Sequence, residues 1–390
     1  MTKNIKEAKR VYMDYAATTP MHTDVVQAMI PYMSGMFGNP SSGHSFGKEA
    51  RAAVEDARVQ VASLIGAKVD DIVFTSGGTE SDNLAVKGIA YANRDKGNHI
   101  ITTSIEHLAV LEPCRFLQTQ GFDVTYLPVD KYGLVDAKAV EKAITRRTIL
   151  VSVMYANNEV GTIEPIVEIG RIAKSKGVYF HTDAVQAVGH VPMSVNELGV
   201  DLLSVSAHKL SGPKGVGALY VRGGTKITSF LHGGEQEHAL RASTENVTGI
   251  VGLGRAAEIA NGEMATEPRR IVKLRDRMIK ELFDRIDGIR LNGHSKVRLP
   301  NNINVSFDGV EGPKVASHLD MAGVAVSTAS ACQVGHKGPS HVLTAMGYSE
   351  TDAHNSIRFS LGRESTADDI EYVMEVLPPI IDKLRKASHR

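Results

Sequence analysis

The 390-residue chain carries 44 Lys+Arg against 44 Asp+Glu, a formal net charge of zero, with 42% hydrophobic and 23% charged residues. That length overfills one core of usual size and predicts a large α/β domain with a smaller companion, while the balanced charge argues against direct nucleic-acid or membrane-surface binding. No run approaches the ~18 apolar residues of a membrane span, the first ten residues lack the apolar stretch of a secretory signal, and the two cysteines, Cys114 and Cys332, are too few for a disulfide framework, so the expectation is a reduced, cytoplasmic protein.

From about residue 70 to 221, short β-branched runs alternate with helical spacing. Strands are predicted at Ile72–Thr75, His99–Thr103, Asp123–Leu127, Ile149–Val153, Val178–His181, Leu202–Ser206 and Gly217–Val221. Between them, sets such as Val86, Ile89 and Ala90, or Ile166, Ile169, Ile172 and Ala173, recur at three- and four-residue steps. The alternation predicts an α/β fold, a mainly parallel seven-stranded sheet covered by helices on both faces. After about residue 262 the texture changes. Ile271, Leu274, Met278, Leu282 and Ile286 mark one face of a charged helix. A strand at Ile303–Phe307, a helix around Pro313–Met321 and a Gly/Ser/Thr-rich stretch, Ser327 to Ser340, follow. Thr366 and Asp369 form a capping box for a last helix, in which Pro378-Pro379 predicts a kink or break. The division expected is a large domain over 16–262 and a smaller α+β domain from 1–15 and 263–390, which carries the polar loop 327–340 and Cys332.

Three constellations carry chemistry. Phe74-Thr75-Ser76-Gly77-Gly78-Thr79-Glu80 reads as strand, glycine turn and helix start; glycines allow close backbone approach, and the free N–H groups of a helix start suit a phosphate, although a plain βα loop with a hydroxyl cap has the same pattern. Asp183 ends an apolar strand, where parallel sheets place ligand sites, and it also suits a helix cap. Lys209, in Ser206-Ala207-His208-Lys209, leaves the carboxyl end of another strand, where an ammonium either snorkels to solvent or forms a Schiff base with a carbonyl. Lys214, in a Gly/Pro-rich turn, is the weaker lysine. Gly252-Leu253-Gly254 resembles a dinucleotide fingerprint but lacks its strand, so close helix packing is the better account. His232 with His238, and His336 with His341, match no zinc spacing, and no metal is expected. A phosphate cradle, a carboxylate for a pyridinium nitrogen and a lysine for an aldehyde, all at one sheet edge, point to pyridoxal 5'-phosphate. Cys114, beside Pro113 and Phe116-Leu117, fits a buried small hydrophobe; Cys332, among small polar residues with His336 and Lys337 near, fits a thiolate nucleophile on an exposed loop.

Nearly end to end, the chain resembles the cysteine desulfurases of the NifS/IscS type, pyridoxal-phosphate enzymes of fold type I. The markers include Tyr15-Ala16-Ala17-Thr18-Thr19-Pro20, Gly38-Asn39-Pro40, Thr75 to Asn83, Glu106-His107, Ala156 to Gly161, His181 to Gln186, Ser206 to Lys209, His232-Gly233-Gly234, Arg241 to Val247, Ser330-Ala331-Cys332 and Ser356 to Ser360. The resemblance implies that Lys209 binds the cofactor's aldehyde, Asp183 its ring nitrogen and Gln186 its phenolic oxygen. It implies that His107 stacks on the ring and moves protons, and that Gly78, Thr79, Ser206 and His208 hold the phosphate with Thr244 from the other subunit of a homodimer. Asn158 and Arg358 would bind the substrate carboxylate, and Cys332 would take the sulfur of L-cysteine as a persulfide, releasing alanine. The acceptors implied are an iron–sulfur scaffold, a tRNA-thiolation enzyme or a thiamine-synthesis protein. Glu235 and Ser243 stand where the family has glycine, and Gln333 to Gly338 departs from its serine-rich continuation. The other readings on this fold are a selenocysteine lyase or cysteine sulfinate desulfinase, an aminotransferase, or a catalytically silent partner protein.

Overall fold

The computed structural model describes residues 9–328 and 338–388. Its strands are β1 (Val11–Tyr12), β2 (Ile72–Thr75), β3 (His99–Thr103), β4 (Asp123–Leu127), β5 (Thr148–Ser152), β6 (Tyr179–Asp183), β7 (Leu202–Ser206), β8 (Gly217–Val221), β9 (Ile289–Asn292), β10 (Asn302–Phe307), β11 (Val324–Ala325) and β12 (Ser356–Ser360). Seven of them form one sheet in the order β2-β8-β7-β6-β5-β3-β4. β8 alone runs against its neighbours, pairing antiparallel with both β2 and β7. Strands β2, β3, β5, β7 and β8 are buried along their whole length, which is why their apolar residues fall on consecutive positions and do not alternate with exposed polar ones. The bounds shift slightly from expectation: β5 starts and ends one residue earlier, β10 starts one residue earlier, and β6 starts one residue later and extends to Asp183, so that the carboxylate belongs to the strand.

Helices cover the sheet on both sides. The helix Gly78–Ala92 buries Leu84, Ala85, Val86 and Ile89 against one face. On the other, Ile166, Ile169 and Ala173 of the helix Ile166–Lys176 join a larger core with Phe74, Val151, Phe180 and Val205. Gly252 and Gly254 lie inside the helix Val247–Glu263. A Cβ at Gly254 would sit 2.6 Å from Ala57 Cα, and one at Gly252 would sit 2.7 Å from Met29 Sδ, so these glycines serve helix packing. A second core gathers Met13, Ile271, Met278, Leu282, Val305, Phe307, Ile357, Phe359, Val373 and Leu377 around the three-stranded sheet β12-β10-β9. The parallel pair β1–β11 ties the N-terminal segment to that side.

The last helix, Ala367–Ser388, continues through Pro378 and Pro379, so of the kink or break expected there the break does not occur. Pro378 has no N–H for the Met374 carbonyl; Arg285 Nη1 approaches that oxygen at 3.4 Å instead. The capping box at the other end is present, with Thr366 N donating to Asp369 Oδ2 at 2.9 Å and Asp369 N to Thr366 Oγ1 at 3.2 Å.

Candidate active site

The site lies at the carboxyl ends of β2, β6 and β7, where strand backbone gives way to turns. Thr75 ends β2, and Gly77, at φ +150°, turns the chain into the helix Gly78–Ala92. No side chain caps that helix, so the amides of its first turn face an open space with the positive end of the helix dipole behind them. Close approach to β8 makes the turn possible: a Cβ on Gly217 would lie 2.7 Å from Gly77 Cα and 2.5 Å from Val205 O. Glu80 holds the turn from outside, accepting from Ser76 N at 2.8 Å and pairing with Arg241 Nε at 2.8 Å. Burial raises the Glu80 pKa, but these hydrogen bonds outweigh it and hold the carboxyl below its ordinary value.

Between β7 and β8, Ala207–Lys209 makes one 3-10 turn. It directs Lys209 Nζ at the carbonyls of Ala16 (2.5 Å) and Ala17 (2.8 Å). The neighbouring His208 Nδ1 lies 3.2 Å from Thr18 Oγ1, and burial, then Lys209 and Lys214, lowers the His208 pKa to about 4. On β6, Asp183 Oδ1 accepts from Val185 N at 2.9 Å. Burial raises the Asp183 pKa against the opposing influence of His107, the Val185 amide and Lys209; a cation facing it from the cavity would restore the anion. Gln186 Nε2 donates to Ala16 O at 3.0 Å.

His107 is the cap of the helix Leu108–Thr119, its Nδ1 accepting from Ala109 N at 3.1 Å. That bond makes Nδ1 an acceptor and leaves Nε2 as the ring's proton-bearing atom. Desolvation lowers the His107 pKa, with Asp183 opposing and Lys209 reinforcing, so the ring is neutral at pH 7.

Nine of the expected residues line one cavity of about 380 Å³: Gly78, Thr79, His107, Asn158, Asp183, Gln186, Ser206, His208 and Lys209. A shallower opening reaches the helix start past Gly77, Gly78, Thr79 and Lys214. Arg358 is fully buried in β12 and stands behind the wall, with Nη2 2.9 Å from Asp14 Oδ1 and Nη1 2.9 Å from the Asn158 carbonyl. Thr244 is exposed and lines no part of this cavity, and the preceding Ser243 has φ +114°, a backbone suited to the glycine it replaces. Cys332 lies outside the described residues. Two acidic lining residues, Asp14 and Asp82, escaped the sequence reading. Asp82 follows Gly78 by four residues on one helix face, a spacing that could have revealed it; Asp14, next to Tyr15-Ala16, reaches the wall only through its distant pairing with Arg358.

The donor set fits pyridoxal phosphate: an uncapped helix start with a glycine turn for the phosphate, a buried carboxylate for a protonated ring nitrogen and an amine for the aldehyde. Sheet, lysine and carboxylate together are those of the fold type I pyridoxal-phosphate enzymes. The chain belongs to the class-V aminotransferase family, whose Aminotransferase class-V profile matches residues 11–373, and within it to the cysteine desulfurases of the NifS/IscS type. It is 57% identical over 380 residues to the cysteine desulfurase IscS of Dictyoglomus turgidum, covering 97% of this chain and 96% of that one. To the IscS of Methanosarcina thermophila it is 56% identical over 382 residues, 98% and 94% of the two chains. Among solved structures, a NifS-like protein superposes with a TM-score of 0.91 at 40% identity, over 96% of this chain and all of that one. A structure described as SspA in complex with cysteine gives 0.81 at 38% identity, over 90% and 99% of the two chains.

Proposed function

We propose that this protein is a pyridoxal-phosphate-dependent cysteine desulfurase that converts L-cysteine to L-alanine and carries the sulfur as a persulfide on Cys332. The observation that carries the reading is the convergence of Lys209, Asp183, His107, Gln186 and Asn158 on one cavity beside an uncapped helix start. Bound pyridoxal phosphate supplies an electron sink for the substrate's α-carbon. Lys209 Nζ would hold the aldehyde, and as an amine it could carry a proton within the cavity. The Asp183 carboxylate would keep the ring nitrogen protonated, Gln186 would donate to the phenolic oxygen, and His107 holds a proton at Nε2. The first-turn amides, Thr79, Ser206 and His208 take the phosphate. Asn158, from the cavity wall, and Arg358, held behind that wall by Asp14 and the Asn158 carbonyl, would together orient the substrate carboxylate. The Cys332 thiolate attacks the substrate sulfur; an S–S bond forms as the Cβ–S bond breaks, the electron pair stays with Cβ, and a proton completes alanine.

We further propose a cytoplasmic homodimer in which Thr244, exposed on a segment that follows the exposed Phe230 and Leu231, reaches the partner's phosphate. The two cores are read as those of two domains, 16–262 and 1–15 with 263–390. The sulfur is passed to an acceptor such as an iron–sulfur scaffold, a tRNA-thiolation enzyme or a thiamine-synthesis protein. The test is release of alanine and sulfide from L-cysteine with a reducing thiol present. Equal yields that vanish in a Cys332→Ser variant still holding its cofactor support the reading; full turnover in that variant overturns the role of Cys332.

A further inference from the structure

Behind Asp183 lies a row of buried polar groups that the proposed mechanism leaves unused. Register pairs Ser152 of β5 with His181 of β6, and Asp183 of β6 with Ser204 of β7. His181 and Asp183, two residues apart, therefore share one face of the sheet with both serines. His181 is fully buried, with Nδ1 2.8 Å from Ser152 Oγ and Nε2 3.0 Å from Ser204 Oγ. The helix Gly78–Ala92 lays Asp82 across this row. Asp82 is 1% exposed, lines the cavity with Asp183, and places Oδ1 3.5 Å from His181 Nε2; that oxygen has no hydrogen-bond partner among the described residues.

We propose that Asp82 is a positioning residue that acts as a neutral hydrogen-bonding group, bracing His181 and Ser204 and thereby fixing the Asp183 carboxylate toward the cofactor's ring nitrogen. The inference rests on the pyridoxal-phosphate reading of the cavity. The groups facing Asp82 argue for neutrality. They are the carboxyls of Asp183 and Glu106, the Ser204 hydroxyl and the His181 ring. His181 is itself held neutral, its pKa lowered by burial to about 3. Burial, then Asp183, raises the Asp82 pKa well above its ordinary value, with Ser204 opposing and Glu106 adding. Among the described groups that face Asp82 there is no cation to offset a second anion beside Asp183, so the proton stays on Asp82 and the negative charge is left to Asp183, which Lys209 favours.

The conservative substitution separates this role from that of an anion. Holoenzyme bearing Asp82→Asn, which keeps a neutral polar group of the same shape, is expected to lose pyridoxal phosphate on dilution within about twofold of the wild-type rate and to keep the pH dependence of its cofactor absorption band. Holoenzyme bearing Asp82→Ala, which strips the brace, is expected to lose cofactor about tenfold faster and to shift that pH dependence. Loss from the Asn variant as fast as from the Ala variant, or an Ala variant that behaves as wild type, overturns the inference. Should the Ala variant not fold, the Asn variant decides alone: an unchanged band supports the inference, and a lost band with an intact thermal transition overturns it. A wild-type protein with no cofactor band would instead defeat the pyridoxal-phosphate reading beneath it.

Discussion

Two groups beside Asp183 have different tasks. His107, with Nδ1 committed to the Ala109 amide, offers a proton site at Nε2 only, so His107→Gln should retain cofactor yet lower the rate of alanine formation by about 10²–10⁴-fold, measured at saturating cysteine. Glu106, fully buried, accepts from Thr103 Oγ1 at 2.7 Å and Met154 N at 3.0 Å. Burial dominates its energetics, and despite those hydrogen bonds its pKa rises from 4.5 to about 8. The folded state thus holds a proton that the unfolded chain releases. Its contribution is fully present below about pH 4.5 and is lost as pH climbs through about 8. Glu106→Gln, which cannot ionise, should flatten the fall in thermal midpoint across that window, read by calorimetry from pH 5 to 8.5; an unchanged slope would refute the assignment. At this scale the sequence was informative wherever chemistry was local. Lys209, Asp183 and Thr79 each end a strand or start a helix within a few residues of their signal. Asp14 and Arg358 meet across 344 residues, and no local spacing announces such a pair.

Among the elements, the strands of the large sheet were legible because their burial on both faces demands unbroken apolar runs. What periodicity could not give was direction. Here a different signal carries it: the β7–β8 connection, residues 207–216, holds a Gly/Pro-rich turn and no crossover helix, and it reverses the chain so that β8 is antiparallel. Gly217 on β8 is therefore more than a strand residue. In Gly217→Ala the new Cβ meets Val205 O and Gly77 Cα, which should destabilise the fold by about 1–3 kcal/mol and move the turn proposed to take the phosphate; urea unfolding and cofactor retention would both record it. The double proline does not break the last helix for a related reason. Local rules see the missing N–H groups but not Arg285 arriving from another helix. Arg285→Ala, which also removes the ion pair with Glu281 at 3.0 Å, should cost about 0.5–1.5 kcal/mol in the same unfolding measurement.

For the whole molecule, composition and charge gave the class of protein but nothing of how its two cores meet. Ile105, Met154, Val160, Val342, Leu343 and Met346 form a separate apolar cluster where the described segment after Cys332 reaches the loops after β3 and β5. Ser340 closes that contact through Glu159, and His341 Nε2 lies 3.0 Å from the Glu106 carbonyl. The proposed dimer belongs to this scale as well. Sedimentation equilibrium should return about twice the 42.0 kDa of one chain, and a monomer that still binds cofactor tightly would remove Thr244 from the phosphate site.

The pairing of Arg358 with Asp14, and of Lys209 with Ala16, has a consequence in time. The β7–β8 hairpin that bears the lysine closes over a handful of residues, whereas the cavity wall needs partners 193 and 344 positions apart. Local closures are fast and distant ones slow. A chain leaving the ribosome from its N-terminus can build most of the large sheet while β12 is still unmade. Competence to hold the cofactor should thus arrive last, after release of the C-terminal segment: in refolding, the yellow colour should return later than the far-ultraviolet signal of the helices. A protein assembled in this order acquires its reactive chemistry only once its fold is complete.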